Sequence, residues 1–286
     1  MTQCYSLNRP RNYRTLKVNE YISRLEHSGI TNASQEVMWL MSEALGLTHS
    51  QILTRRNFSR DELDSLERII TRRERGEPLQ YILGCESFYG YDFHVGSGVL
   101  IPRHDTESII DSVKHYFSQE QAFRFLDWGT GSGCIAVTLL LEFPNSFAYM
   151  LDISSEALNY ARENLARYQL SGRSRIITNI NEIDSELELI VSNPPYIPSG
   201  EINNLMKTVR DYEPVIALDG GTDGMKYYHE IFAQGESLLK RNYYIILEAG
   251  DLSQVYALKN LSHEFMFERE FLDYNNFPRA LAFIKN

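Results

Sequence analysis

The residues best equipped for chemistry are Asn193-Pro194-Pro195-Tyr196, which leave the run Leu187 to Val191 through Ser192 and end at Ile197. Each proline restricts the backbone of the residue before it, so this segment is expected to be stiff and extended, with carbonyls that lack helical partners. Fixed acceptors beside an aromatic ring suit a planar NH2 group, whose two N–H donors need two acceptors and whose flat face needs a stacking partner. An amide and a nucleobase amine both answer that description. Asn and Pro are also turn residues, so the tetrapeptide taken alone is compatible with a plain strand-to-loop turn.

A second cluster is Gly129-Thr130-Gly131-Ser132-Gly133, which follows the run Phe123 to Trp128 with Asp127 just ahead of it. Glycines let a backbone approach a nucleotide-like ligand closely, and a following helix offers free N–H groups. Asp152, at the tip of the next expected strand, can accept hydrogen bonds from both hydroxyls of a ribose. The dinucleotide pattern G-x-G-x-x-G does not fit, because Cys134 stands where its last glycine would be. The spacing Gly129-x-Gly131-x-Gly133 after Asp127 instead resembles S-adenosylmethionine-dependent methyltransferases of the Rossmann-like type. Both loops are expected to leave carboxyl ends of parallel strands, and hence to open on one edge of a sheet.

The elements that must position them follow from periodicity. Residues 1 to 17 read as a loose polar arm. Val18, Tyr21, Ile22 and Leu25 share one helix face, and Val37, Leu40, Met41, Ala44 and Leu45 another, with Trp39 and Met41 expected in the core. Thr48-x-x-Gln51 and Ser59-x-x-Glu62 read as capping boxes opening two more helices, the second carrying Leu63, Leu66, Ile69 and Ile70. A helical bundle over residues 1–75 is therefore predicted. Gly76-Glu77-Pro78 breaks the pattern, and short strands around Phe88, Tyr91, Phe93 and Val95, with Val99 to Ile101, predict a β-hairpin linker over 76–104. Asp105-Thr106-Glu107 can cap a helix, and Arg103 and Glu107 suit either that helix start or a site. From 105 to 286 strands and helices alternate, predicting an α/β domain with a mostly parallel seven-stranded sheet and an antiparallel last strand.

Composition narrows the partners. The net charge is -10 over 286 residues, which argues against a general nucleic-acid binder. The first 75 residues carry a balance of +3 and the remainder -13, so only the N-terminal part suits an acidic partner. Cys4, Cys85 and Cys134 are widely spaced and odd in number, fitting neither a disulfide framework nor a zinc site, and a reducing cytoplasm is the simplest home. No run approaches the length of a membrane span, so no membrane association is expected.

At a finer level, Gly76-Glu77-Pro78-Leu79-Gln80-Tyr81-Ile82-Leu83-Gly84, Val99-Leu100-Ile101-Pro102-Arg103, Leu126 to Gly133 and Ile190 to Ile197 resemble the HemK/PrmC protein-(glutamine-N5) methyltransferases. Tyr212-Glu213-Pro214, the turn Asp219 to Gly224 and Glu248-Ala249-Gly250 are similar to the same family, in the same order, over about residues 18 to 286. The family's usual Pro-Glu-Thr-Glu is here His104-Asp105-Thr106-Glu107, and Trp128 replaces a small or aliphatic residue. The resemblance implies a helical substrate-recognition domain, a hairpin linker and a methyltransferase domain of class I. It implies S-adenosyl-L-methionine as methyl donor, leaving S-adenosyl-L-homocysteine. The implied acceptor is the glutamine of the Gly-Gly-Gln loop in peptide chain release factors.

The expected cofactor contacts are Asp127, Gly129, Thr130, Gly131, Ser132, Gly133, Asp152 and Asn193, with an amide at Asn181 meeting the adenine amino group. Asn193, Pro194, Pro195 and Tyr196 are expected to hold the substrate, and Asn193, Pro194 and Tyr196 to serve catalysis. No metal or covalent nucleophile is required. The rival readings are a relative acting on another protein glutamine or a small amide, a nucleic-acid amino methyltransferase, and a non-enzymatic translation accessory.

Overall fold

The computed structural model describes residues 18–55, 57–261 and 264–286; the polar arm read over residues 1 to 17 lies outside them. Two compact units divide the chain, one running to Leu83 and the other from Gly84 to Asn286. In the first, helices α1 (Val18–His27), α2 (Ala33–Leu45), α3 (His49–Thr54), α4 (Arg60–Glu74) and α5 (Leu79–Leu83) enclose Leu25, Val37, Leu40, Met41, Ile52, Leu66, Ile70 and Ile82. Both capping boxes form: the Thr48 and Ser59 side chains accept from the Gln51 and Glu62 amides, whose own side chains return to the cap N–H. Trp39 does not join Met41 in this core. It is 37% exposed, because it falls outside the face that Val37, Leu40 and Met41 share.

The unit boundary also departs from the expected division after residue 75. Pro78 does not end the helical part; it opens α5, whose Ile82 fills the helical core. The hairpin is shorter than expected and belongs to the second unit: β1 (Cys85–Phe88) pairs antiparallel with β2 (Tyr91–His94), while Val99 to Ile101 form no strand. Tyr89 and Gly90 both have positive φ, 52° and 80°, as a two-residue turn matching strand twist demands.

The rest of the second unit alternates as predicted. α6 (Glu107–Tyr116) precedes β3 (Arg124–Trp128), α7 (Cys134–Glu142), β4 (Phe147–Leu151), α8 (Ser155–Arg167), β5 (Ser174–Ile177) and β6 (Leu187–Ser192). Then come α9 (Lys207–Arg210), α10 (Lys226–Leu238), β7 (Leu239–Glu248), α11 (Leu252–Lys259), β8 (Phe265–Leu272) and β9 (Pro278–Lys285). The seven strands lie in the order β5-β4-β3-β6-β7-β9-β8, with β9 antiparallel to both neighbours. Side chains alternate between two cores. Phe125, Met150, Leu189, Val191 and Ile246 face one side with α6, α7 and α8; Leu126, Leu151, Ile190, Ile245 and Leu247 face α10 and α11 on the other. Among the described residues, no helix is long and apolar enough to cross a membrane.

Strand order reverses beside β3: the chain moves outward through β4 and β5, then returns to the other flank as β6. The crevice at a parallel sheet's carboxyl edge opens at such a point. The glycine-rich loop is tied to the end of β2 by one buried side chain, Asn164 of α8. Its Nδ2 donates to the Ser132 carbonyl at 2.8 Å and the His94 carbonyl at 3.0 Å, and its Oδ1 accepts from the His94 N–H at 2.7 Å. Asn164→Leu would leave these backbone groups unpaired in an apolar setting. It should lower stability by about 3 kcal/mol in equilibrium denaturation; an unchanged midpoint would show that the knot carries nothing.

Candidate active site

The loop after β3 is built by short, specific bonds. Gly129 and Thr130 donate their N–H groups to the Leu151 carbonyl, each at 2.9 Å, and the Gly131 N–H donates to Asp152 Oδ2 at 2.9 Å. Gly131 holds φ at 56°, a left-handed conformation that a side chain resists. Asp152 Oδ1 accepts from the Ser154 N–H at 2.9 Å. The carboxylate at the tip of β4 is thereby held with lone pairs still free for a diol.

Asp127 sits beneath this loop rather than on it. Its Oδ2 accepts from the Thr130 hydroxyl at 2.6 Å and the Ala136 N–H at 3.2 Å, joining the strand end to the start of α7. Its Oδ1 is buried without a partner among the described residues. Burial pushes the carboxyl up to about 7, and nearby Asp152 adds to that, against the Thr130 hydroxyl and Ala136 amide.

A cavity of about 440 Å³ lies along this edge, within the range of small-molecule sites. Gly129, Gly131, Asp152 and Ser154 line one side, Thr178, Asn179 and Ile180 the next, and Asn193 and Pro195 another. Leu100, Trp128, Ile216, Lys226, Tyr227 and Glu230 complete much of the wall. Of the residues expected from sequence, Asp127, Thr130, Ser132 and Gly133 lie outside the lining, with Thr130 and Ser132 almost fully buried. They shape the loop from behind. Asn181 is exposed and outside the lining; the amide on the wall is Asn179, two residues earlier, which also accepts from the Asn181 N–H at 2.9 Å. The Asn179-x-x-Glu182 capping box carried that signal in the sequence. Lys226, Tyr227 and Glu230 at the start of α10 had no motif to announce them.

Beyond β6 the chain is clamped. Ile197 N–H donates to the Leu218 carbonyl at 3.0 Å, Gly220 N–H to the Ile197 carbonyl at 2.8 Å, and Gln254 Nε2 to the Tyr196 carbonyl at 2.7 Å. A Cβ on Gly220 would come within 2.8 Å of the Pro195 carbonyl oxygen, and one on Gly250 within 2.5 Å of the Tyr196 ring. The Asp219 to Gly224 turn and Glu248-Ala249-Gly250 thus exist to press against Pro195 and Tyr196. No donor reaches the Pro194 carbonyl among the described residues, while Asn193 Nδ2 donates to Thr106 Oγ1 at 3.0 Å and leaves Oδ1 without a donor. Pro194 and Tyr196 do not line the cavity themselves. The Tyr196 hydroxyl points to Glu248 Oε1 at 3.4 Å, and burial together with that carboxylate raises its pKa.

Further acids pin the segment before α6 and the C-terminal turn. Glu213 is buried and takes Arg103 Nη2 at 2.5 Å. Glu107 accepts from the Tyr89 N–H at 2.9 Å and the Tyr274 hydroxyl at 2.8 Å, so both residues left open in the sequence are structural anchors. Arg279 donates to the Ala249 and Gly250 carbonyls at 2.9 and 3.1 Å and faces Asp273 and Asp105. Among the described residues no group of three potential metal ligands gathers. The arrangement offers a diol acceptor, a wall for a flat base, and beside them two acceptors that meet no donor among the described residues.

Residues 18–84 match the family described as PrmC N-terminal domain, and residues 109–210 the methyltransferase small domain. The release factor glutamine methyltransferase of Geobacter sulfurreducens is 38% identical over 235 residues, spanning 79% of this chain and 80% of that protein. The Caulobacter vibrioides protein of the same name is 37% identical over 239 residues, spanning 81% and 82%. A methyltransferase structure from Pyrococcus furiosus superposes with a TM-score of 0.50 at 17% identity, over 69% of this chain and 90% of that one, a likeness of fold.

The two buried acids set a pH dependence. Burial holds Asp127 and Glu248 near 7, above the ordinary carboxylate range, so each takes up a proton on folding between that range and about 7. Their contribution to stability is present in mild acid and lost as pH rises through about 7. Thermal midpoints should therefore fall between about pH 5.5 and 8, and Asp127→Asn should remove roughly half of that fall. An identical pH dependence in the variant would contradict the assignment.

Proposed function

The chain belongs to the release factor glutamine methyltransferase family, and we propose that it transfers a methyl group from S-adenosyl-L-methionine to the side-chain nitrogen of the glutamine in the Gly-Gly-Gln motif of peptide chain release factors. The observation that carries this reading is the pair of acceptors, Asn193 Oδ1 and the Pro194 carbonyl, that meet no donor among the described residues, on a clamped loop beside a nucleotide-sized cavity.

The residues present fit the methyl donor. Asp152 suits the ribose diol, Asn179 and Ile180 the adenine, and the Gly129 to Gly131 backbone the amino-acid end. When bound, S-adenosylmethionine supplies an electrophilic sulfonium methyl, and S-adenosylhomocysteine is the product. A carboxamide nitrogen is a weak nucleophile because its lone pair is delocalised, so positioning must carry much of the rate. Asn193 Oδ1 and the Pro194 carbonyl accept the two amide N–H bonds and fix the nitrogen. Their partial negative charge faces the positive charge that develops on it, without reorganisation during the reaction. Tyr196, held by Glu248 and Gly250, walls the path of the glutamine side chain.

The helical unit is proposed to recognise the protein substrate, supported by the family match over residues 18–84 and by exposed Arg60 and Arg68 on α4. The reducing cytoplasm suits an enzyme acting on release factors. Incubating the full chain with S-adenosylmethionine and release factor, then mapping the product by mass spectrometry, should place one methyl on the motif glutamine. Asn193→Ala should lower the rate about 100-fold or more while calorimetry finds cofactor affinity largely intact. Methylation elsewhere, or an active Asn193→Ala enzyme, would overturn the reading.

A further inference from the structure

The loop that carries Asn193 and Pro194 is fixed at its upstream end by β6, where the Ser192 hydroxyl donates to the Trp128 carbonyl at 2.6 Å. Its downstream end is the Tyr196–Ile197 peptide. There the Ile197 N–H donates to the Leu218 carbonyl at 3.0 Å, and the Tyr196 carbonyl accepts from Gln254 Nε2 at 2.7 Å. Gln254 is 5% exposed, and its Oε1 accepts from the Gly250 N–H at 2.9 Å. One buried amide therefore bridges the loop after β6 and the loop after β7. We propose that Gln254 is a positioning residue for methyl transfer: by fixing the Tyr196 carbonyl it holds the Asn193 and Pro194 acceptors in place at the cavity.

Two glycines clear the space for this bridge. A Cβ on Gly224 would come within 2.6 Å of Gln254 Nε2 and closer still to the Tyr196 carbonyl oxygen, and one on Gly250 within 2.9 Å of Gln254 Oε1. The residue type matters as well. Gln254 stands in the first turn of α11, whose N-cap Asp251 accepts its N–H at 2.8 Å. Glutamate would serve that helix start equally well, since either side chain can accept from N–H groups ahead of the helix. Only glutamine also donates, and the Tyr196 carbonyl requires a donor.

The rings of Pro194 and Pro195 fix two of the backbone angles between Asn193 and that carbonyl. A shift at the Tyr196 end is thus passed on to the Pro194 carbonyl rather than absorbed on the way. No donor among the described residues reaches the Pro194 carbonyl, so its place is set by the two ends of the loop.

This inference rests on the reading that these acceptors meet an amide, and its test separates the two. With release factor as acceptor at about pH 8, Gln254→Glu should lower kcat about tenfold or more at unchanged KM for S-adenosylmethionine, within the ~100-fold that about 1 Å of misplacement can cost. Buried against a carbonyl, the new carboxyl favours its neutral form, and a neutral acid again offers one donor and one acceptor. The rate relative to wild type should therefore recover as pH falls to about 6. Glu248, Asp251, Asp223, Tyr196, Tyr228 and Arg279 are the titratable and charged groups on the segments packed around it, and all are present in wild type, so the ratio isolates the substitution. Gln254→Met, of similar volume but with neither group, should lose rate at both pH values without recovery. It decides the matter by the same split of kcat from KM if the charged variant does not fold. Without release factor, the Tyr196 carbonyl resonance of Gln254→Glu should titrate over the same range. A Gln254→Glu rate that parallels wild type across pH, or lower denaturation midpoints in the variants at undiminished kcat, would overturn the proposal. A titrating carbonyl in a protein whose wild type leaves release factor unmethylated would uphold the positioning role and sink the substrate reading.

Discussion

The parallel register of β3, β6 and β7 is the constraint on which the site depends. Asp127 pairs with Val191, and Val191 with Ile246, so three strand ends stop within a residue or two of one another. The glycine loop, the Asn193 loop and Glu248 are then neighbours through backbone pairing alone. Ser192 reinforces the alignment by donating its hydroxyl to the Trp128 carbonyl at 2.6 Å. A one-residue slip of β6 would turn Val191 from one core to the other and carry Asn193 off the crevice.

Around that edge the molecule spends buried charge to hold irregular backbone. Glu107 fixes the hairpin turn and the C-terminal turn, Glu213 fixes Arg103 and the strand-free stretch before it, and Arg279 satisfies the carbonyls after β7. Loops cannot satisfy their own polar groups as helices and strands do, so each needs such an anchor. Asp127 and Glu248 differ from these, since each retains a buried oxygen without a partner among the described residues. Burial keeps both carboxyls near 7, and both stand one layer behind the residues that line the cavity.

The architecture was legible because it rests on local signals. Capping boxes at Thr48 and Ser59, apolar stripes at helical spacing, and alternating strands and helices are written in neighbouring residues. The cavity was half legible: Gly129, Gly131, Asp152, Asn193 and Pro195 line it, each next to a strand end. Asn181 falls outside the cavity lining and Asn179 within it, because a short strand ending in a capped turn leaves its last residue undefined until the turn is seen. Trp39 was misjudged because size outweighed its position off the stripe. The hairpin boundary failed because Pro78 reads equally well as a helix breaker and as a helix start.

What the sequence determined by itself was the order of elements and the identity of the groups at strand tips, since both depend on period and on residue type. Only the tertiary structure decided which groups face the cavity and which stand behind it. Thr106 and Glu248 lie 87 and 55 residues from Asn193 along the chain, and no spacing relates them. The Asn193 amide donates to a hydroxyl on the segment before α6, and Glu248 ends the strand paired beside its own; these neighbours meet only once the sheet has closed the distance between them.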